Sequence, residues 1–152
     1  LAISSTQAAT ATLTIAPGSV IKFPEGTYSG ANTGTLHAIG TAADPIIFTA
    51  TSDDTAGGDS NGDGASTTPY NGWWETLYLQ GPSNILEHVE IRYAGDLDGN
   101  GIGGGQVPSV RIYHAGTTTE AQTRLSNVRI KSGYERAVEV LSGTPTLENV
   151  HA

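Results

Sequence analysis

The hydrophobic pattern of this chain consists of short runs in which apolar residues occupy every second position. Leu77 and Leu79 form one such pair, and Val128 with Ile130 forms another. A period of two places the apolar members on one face of a β-strand. No long stretch keeps the 3.6-residue period of an amphipathic helix. The pattern therefore predicts an all-β chain.

Several of these runs resemble one another. The segment 85–91 (ILEHVEI) is similar to 124–130 (RLSNVRI), and both are similar to 146–150 (TLENV). Leu125 and Leu147 are 22 residues apart, whereas the first and second copies are 39 residues apart and enclose a Gly/Asp-rich segment. Self-similarity at about 20–25 residues with tolerated inserts is typical of a solenoid. A leucine-rich repeat has this period too, but the chain lacks its Leu-x-x-Leu-x-Leu spacing.

Two columns of strands follow from this repeat, and stacking of about five coils would bury them in rows. One column starts its strands at Leu13, Leu36, Leu77, Val110 and Val138. The other starts at Ile21, Ile46, Val89, Val128 and Val150. We expect buried rows at Leu77, Leu79, Val89, Ile91, Val110, Ile112, Val128, Ile130, Val138 and Val140. A β-sandwich is the alternative.

Three segments look like the opening coils of secreted bacterial right-handed parallel β-helix proteins: 13–23 (LTIAPGSVIKF), 34–41 (GTLHAIGT) and 44–49 (DPIIFT). In that family an Asp/Gly-rich insert and a Trp-containing strand often follow, as 53–74 do here. The resemblance implies a right-handed parallel β-helix at the cell surface or outside the cell. Such modules occur in adhesins, surface proteins and polysaccharide-active enzymes. One departure is Trp73-Trp74-Glu75-Thr76, where glycines commonly follow the first Trp.

The expected architecture is one domain over residues 1–152. Residues 1–12 are long enough to add an N-terminal strand, and two inserts lie near 50–72 and 95–108. A solenoid end exposes unpaired backbone groups and an apolar face, which proteins usually cap. We therefore expect either a longer parent chain or end-to-end self-association, which would build a filament.

The composition of the chain excludes several classes of binding partner and site. The net charge is −8 with only seven Lys and Arg, which argues against nucleic acid because phosphate binding needs clustered cations. The chain has no Cys, which excludes disulfides, thiol catalysis and Cys-based zinc sites. No run approaches the roughly 18 apolar residues of a membrane span.

The two inserts contain the clearest candidate metal ligands. Both 59–64 (DSNGDG) and 96–101 (DLDGNG) match the first six positions of a calcium loop, in which oxygen ligands alternate and Gly permits the turn. Position twelve, a Glu in an EF-hand, is Tyr70 or Val107, so the EF-hand interpretation fails. A looser calcium site remains, and an ordinary loop is the alternative. The candidate ligands are Asp53, Asp54, Asp59, Asn61, Asp63, Asp96, Asp98 and Asn100.

Aromatic residues are the candidates for carbohydrate contact, because exposed rings can stack on the apolar face of a sugar. Tyr78 alternates with Leu77 and Leu79, which predicts that it points outward. The candidates are Tyr70, Trp73, Trp74 and Tyr78. The alternative is that one Trp fills the core beneath the long insert and that the tyrosines are ordinary surface rings.

Catalysis has weaker support. The four histidines lack metal-binding spacing, and no Ser lies in a G-x-S-x-G elbow. Glu87 with Glu90, and Glu139 with Glu148, are outward carboxylates that a glycosidase could use. The leading hypothesis is a non-catalytic structural or adhesive module. The alternatives are a fragment of a polysaccharide lyase or hydrolase, and a carbohydrate-binding module.

Overall fold

The computed structural model describes residues 2–4, 11–27, 29–32, 34–96, 106–113, 122–134 and 136–152. Within these ranges the regular structure is β-strand, and no helix occurs. The all-β prediction is therefore confirmed. The strands are β1 (Ala2–Ser4), β2 (Thr12–Ile15), β3 (Val20–Phe23), β4 (Ser29–Asn32), β5 (Thr35–Ile39), β6 (Ile46–Ala50), β7 (Leu77–Leu79), β8 (Ile85–Arg92), β9 (Val110–Tyr113), β10 (Arg124–Lys131), β11 (Val138–Ser142) and β12 (Thr146–His151).

The strands form two sheets in which neighbouring strands run parallel. The first sheet has the order β1-β4-β7-β9-β11. The second has the order β12-β10-β8-β5-β2, and β6 pairs with both β3 and β8. This pairing differs from the antiparallel sheets of a β-sandwich.

The strand registers confirm part of the predicted columns. In the first sheet Leu77 lies opposite Val110, which lies opposite Val138. In the second sheet Ile46, Val89, Val128 and Val150 follow one another in the same way.

Three members of the predicted columns were placed wrongly. Leu13 and Leu36 pair with each other in the second sheet instead of joining the column of Leu77. Ile21 pairs with Phe48, two residues beyond Ile46. The spacing of the apolar residues alone does not show to which sheet or register a strand belongs, since strands of different sheets can have the same alternation.

A single residue bends each of the long strands β8 and β10. The first half of β8 pairs with β5 and its second half pairs with β6. Between the halves lies His88, and Asn127 takes the same place in β10; their φ values are 48° and 53°. Asn and His are among the residues that most readily adopt this left-handed conformation. Between β5 and β6 a loop at 40–45 takes the place of this one-residue bend.

Apolar residues from both sheets form one core. Its members are buried: Ile15, Phe23, Leu36, Ala38, Ile46, Phe48, Trp74, Leu77, Leu79, Leu86, Val89, Ile91, Ala94, Val110, Ile112, Leu125, Val128 and Ile130. Val138 is partly buried and packs against this core. Val140 was predicted to be buried but is 42% exposed, because β11 is the last strand of its sheet among the described residues. None of the described segments is a helix of the length and apolarity that crossing a bilayer requires.

Candidate functional site

The long connection between β6 and β7 brings three carboxylates together. Asp54, Asp59 and Asp63 each place one carboxylate oxygen within 4.8 Å of the others. Unscreened negative charges at this separation repel one another. The residues around them determine whether the group is satisfied by the protein or is open to a cation.

Asp59 organises the turn that follows it. Its Oδ1 accepts hydrogen bonds from the backbone N–H groups of Gly62 (2.7 Å) and Asp63 (3.2 Å), and its Oδ2 accepts one from Gly64 (2.9 Å). Gly62 and Gly64 have φ values of 74° and 65°, which a side chain would disfavour. The Asp-x-Asn-Gly-Asp-Gly sequence thus forms a tight turn, closed by its first carboxylate.

Asp63 is also satisfied within the insert. Its Oδ1 accepts from the backbone of Ala65 and Ser66, both at 3.1 Å, and its Oδ2 accepts from Asn61 Nδ2 (3.0 Å) and from the Thr67 hydroxyl. The Thr67 hydrogen bond holds the pKa of Asp63 below its usual value; desolvation opposes this and the backbone donors add to it. Asp63 is therefore ionised at neutral pH.

Asp54 contributes the open acceptor of the group. Its Oδ1 is shielded from solvent and has no hydrogen-bond partner among the described residues. A buried carboxylate oxygen without a donor is costly, and a hard cation would satisfy it. Asn61, which now donates to Asp63, could present its carbonyl oxygen instead if its amide rotated.

Asp53, another candidate calcium ligand, lies outside this group. Its side chain is 1% exposed, and Arg92 Nη1 lies 3.1 Å from its Oδ2. The hydroxyls of Thr49 and Thr55 also donate to its carboxylate. Burial raises the pKa of Asp53, but the hydrogen bonds from Thr49, Thr55 and Arg92 outweigh it and hold the pKa below its usual value. These donors leave Asp53 a structural carboxylate.

The second insert is described only at its base. Asp96 forms an isolated antiparallel bridge with Val107, with backbone hydrogen bonds in both directions. The other two candidate ligands, Asp98 and Asn100, lie outside the described residues. The described part of the chain therefore assigns no ligand set to this insert.

Two of the four aromatic candidates, Trp74 and Tyr78, are buried and have little surface with which to contact a carbohydrate. Trp74 is fully buried and stacks on Phe23 with ring centroids 4.4 Å apart, while its Nε1 donates to the backbone oxygen of Arg92 at 2.8 Å. Tyr78 alternates with core residues as predicted, yet it is only 9% exposed. Desolvation raises the pKa of Tyr78.

The other two aromatic candidates, Tyr70 and Trp73, form a pair that is only partly exposed. Tyr70 is 51% exposed, and its ring lies 5.2 Å from that of the partly buried Trp73 at an angle of 59°. The Tyr70 hydroxyl donates to Glu25, so the ring is anchored to the β3–β4 turn.

Comparison with protein-family models, with curated proteins and with solved structures finds no match for this chain.

Proposed function

We propose that the chain is a right-handed parallel β-helix of about five coils that serves as a non-catalytic structural or adhesive module outside the cell, with calcium bound in its first Asp-rich insert. The observation that carries this proposal is the repeated in-register parallel pairing. Leu86, Leu125 and Leu147 lie opposite one another in successive strands of one sheet, as do Leu77, Val110 and Val138 in the other.

Chain connectivity supports the helical arrangement. From β7 onward the strands alternate between the two sheets, because β7, β9 and β11 belong to one and β8, β10 and β12 to the other. Each return to a sheet adds a strand parallel to the one before it. Parallel crossovers are right-handed in nearly all proteins, which favours the right-handed form.

Ion pairs at three of the four outward carboxylates, Glu87, Glu90 and Glu139, support a scaffold over an enzyme. Glu87 pairs with Arg124 at 2.7 Å, and Glu139 pairs with Arg111 at 2.9 Å. Burial opposes ionisation of Glu90, but Lys131 and Arg92 outweigh it and lower its pKa. A general acid in glycoside hydrolysis needs a raised pKa instead. These carboxylates stabilise neighbouring strands.

Calcium is proposed for the group of Asp54, Asp59 and Asp63. Three carboxylates in one loop, one with an unpartnered oxygen, match the preference of Ca²⁺ for oxygen ligands. Binding would also remove the mutual repulsion of the three charges.

The proposal is tested by combining product analysis with an experimental structure in calcium. Incubation with acidic and neutral polysaccharides should release neither reducing ends nor unsaturated products. Density for a bound ion is expected beside Asp54, within a right-handed coil. Product formation that scales with the concentration of the protein would instead favour a lyase or hydrolase. A left-handed or non-helical arrangement would reject the proposed architecture.

A further inference from the structure

The loop at 40–45 contains the single Asp-Pro pair of the chain, Asp44-Pro45. This loop joins β5 to β6, and the turn at 16–19 joins β2 to β3 in the same way. Because β2 pairs with β5 and β3 pairs with β6, the turn lies beside the loop. Backbone groups of the turn can therefore donate hydrogen bonds to the loop.

Two backbone N–H groups point at the carbonyl oxygen of Asp44. The Gly18 N–H, from the turn, donates to it at 3.0 Å, and the Thr41 N–H, from the loop itself, donates to it at 3.1 Å. Gly18 has a φ of 74°, a conformation that favours glycine. Two such donors on one carbonyl oxygen form the arrangement that stabilises an oxyanion when a nucleophile adds to the carbonyl carbon.

The loop holds the backbone of Asp44 but leaves its side chain unattached. The Thr41 hydroxyl accepts a hydrogen bond from the Asp44 N–H at 2.9 Å. Gly40 packs so closely that a Cβ on it would lie 3.1 Å from the Asp44 carbonyl oxygen. The Asp44 side chain is exposed, and no described residue forms a hydrogen bond or an ion pair with its carboxylate. This carboxylate can therefore rotate towards the carbonyl carbon of its own residue.

We propose that Asp44 cleaves its own peptide bond to Pro45 in acid. A carboxylate oxygen of Asp44 adds to the Asp44 carbonyl carbon and closes a ring, while the N–H groups of Gly18 and Thr41 stabilise the negative charge on the carbonyl oxygen. The C–N bond then breaks, the Pro45 nitrogen takes up a proton from the acidic solvent, and a cyclic anhydride remains on Asp44. One water molecule opens the anhydride to two carboxyl groups, so the net reaction is hydrolysis of one peptide bond.

Acid promotes this cleavage because the Pro45 nitrogen leaves as an amine and must be protonated. Pro45 is partly exposed and lines a groove of about 420 Å³, so water can reach it. The turn at 16–19 brings no charged side chain to the bond. The charged or titratable side chains that share the groove with Pro45 are His88, Glu90, Arg129 and His151. Water in the groove is the proton source, and the rate of cleavage should rise as the pH falls.

The two fragments should remain in one folded particle after cleavage. The fragment 1–44 contains β3 and β5, which pair with β6 and β8 of the fragment 45–152. Cleavage should therefore be visible under denaturing conditions while the elution of the native particle in size-exclusion chromatography stays unchanged. The reaction is a single turnover of the chain on itself, so it does not rest on the proposed function and does not make the module an enzyme for other substrates.

Intact-mass analysis of the purified chain in mild acid tests the proposal. A pH of about 5 suits the test, because Asp53 and Glu90, whose pKa values are lowered, are still ionised there and the fold is retained. Two fragments should accumulate whose masses sum to that of the intact chain plus one water. In urea that unfolds the chain the two N–H donors are lost, so the folded chain should cleave about tenfold faster or more at the same pH.

Two variants separate the carboxylate from the leaving group. Asp44→Glu keeps the charge but lengthens the side chain, so ring closure is less favourable, and Pro45→Ala replaces the tertiary amide with a secondary one. Each should cleave about tenfold more slowly or less while its circular dichroism stays that of the wild type. The proposal is overturned by absence of fragments from the folded wild type, by a rate no faster than that in urea, or by an unchanged rate in either variant.

Discussion

Arg92 Nη1 lies 3.1 Å from Asp53 Oδ2 and joins the end of β8 to the start of the first Asp-rich insert. The same guanidinium pairs with Glu90, so one cation holds two carboxylates. Lys22 adds a further link, since its Nζ donates to the Asp53 backbone oxygen at 2.9 Å. The start of the insert is thus attached to β8 and β3. The group of Asp54, Asp59 and Asp63 lies further along the insert.

Loss of this link should destabilise the fold. Arg92→Met keeps the aliphatic stem and removes the donors, which leaves the buried Asp53 with only Thr49 and Thr55. We expect a decrease of about 1–3 kcal/mol in the free energy of unfolding, measured by urea titration. Arg124→Met is the control: its pair with Glu87 is more exposed and should be worth less than about 1 kcal/mol. Equal effects of the two substitutions would contradict the structural role of the link.

The same carboxylates predict the direction of the pH dependence. Desolvation raises the pKa values of Asp53 and Glu90, but hydrogen bonds and cations outweigh it, so both are lowered from 3.8 and 4.5. The unfolded chain therefore binds more protons than the folded one in acid, and stability rises with pH. The contribution should be complete above these ordinary values and be lost as pH falls through the lower, folded ones.

Urea titrations at neutral pH and below pH 3.8 check this expectation. Arg92→Met should flatten the dependence, because Arg92 lowers the pKa of both groups. A wild-type stability that does not change across this range would refute the assignment.

Strand pairing was the part of the fold that the sequence predicted best. Leu125 and Leu147 are one repeat apart and lie opposite each other, because the alternation and the period both specify the same register. The same alignment already placed His88, Asn127 and Asn149 in one column. Their preference for left-handed backbone was a usable signal for the bends.

The roles of individual side chains depended on contacts far away in sequence. Trp74 is buried because it stacks on Phe23, and Asp53 is neutralised by Arg92. The local sequence shows only that an aromatic residue or an acidic loop is present, and it does not show whether the side chain is buried or paired. Only the folded arrangement separates Asp53 from the group of Asp54, Asp59 and Asp63.

Two substitutions compare a buried position in one sheet with an exposed position in the other. Ile130 is buried in β10, whereas Val140 lies on the edge strand β11. Ile130→Ala should lower the free energy of unfolding by about 2–5 kcal/mol, from lost burial and the cavity that remains. Val140→Ala should change it by less than about 0.5 kcal/mol. Urea titration of both variants checks the burial, and a large cost at Val140 would mean that another surface covers this edge.

Calcium should raise the melting temperature of the chain, and chelator should lower it, because an ion that binds only the folded state stabilises that state. At a free concentration one hundred times the dissociation constant the gain is about 2.7 kcal/mol. Asp54→Asn is the sharpest variant, since it removes one charge at the unpartnered oxygen and leaves the hydrogen bonds of the Asp59 and Asp63 turn in place. It should reduce the difference between calcium and chelator. Asp44→Asn, an exposed carboxylate on another loop, should retain the full difference. Identical melting of the wild type in calcium and in chelator would reject the site. An undiminished difference in melting temperature for Asp54→Asn would mean that the ion binds elsewhere.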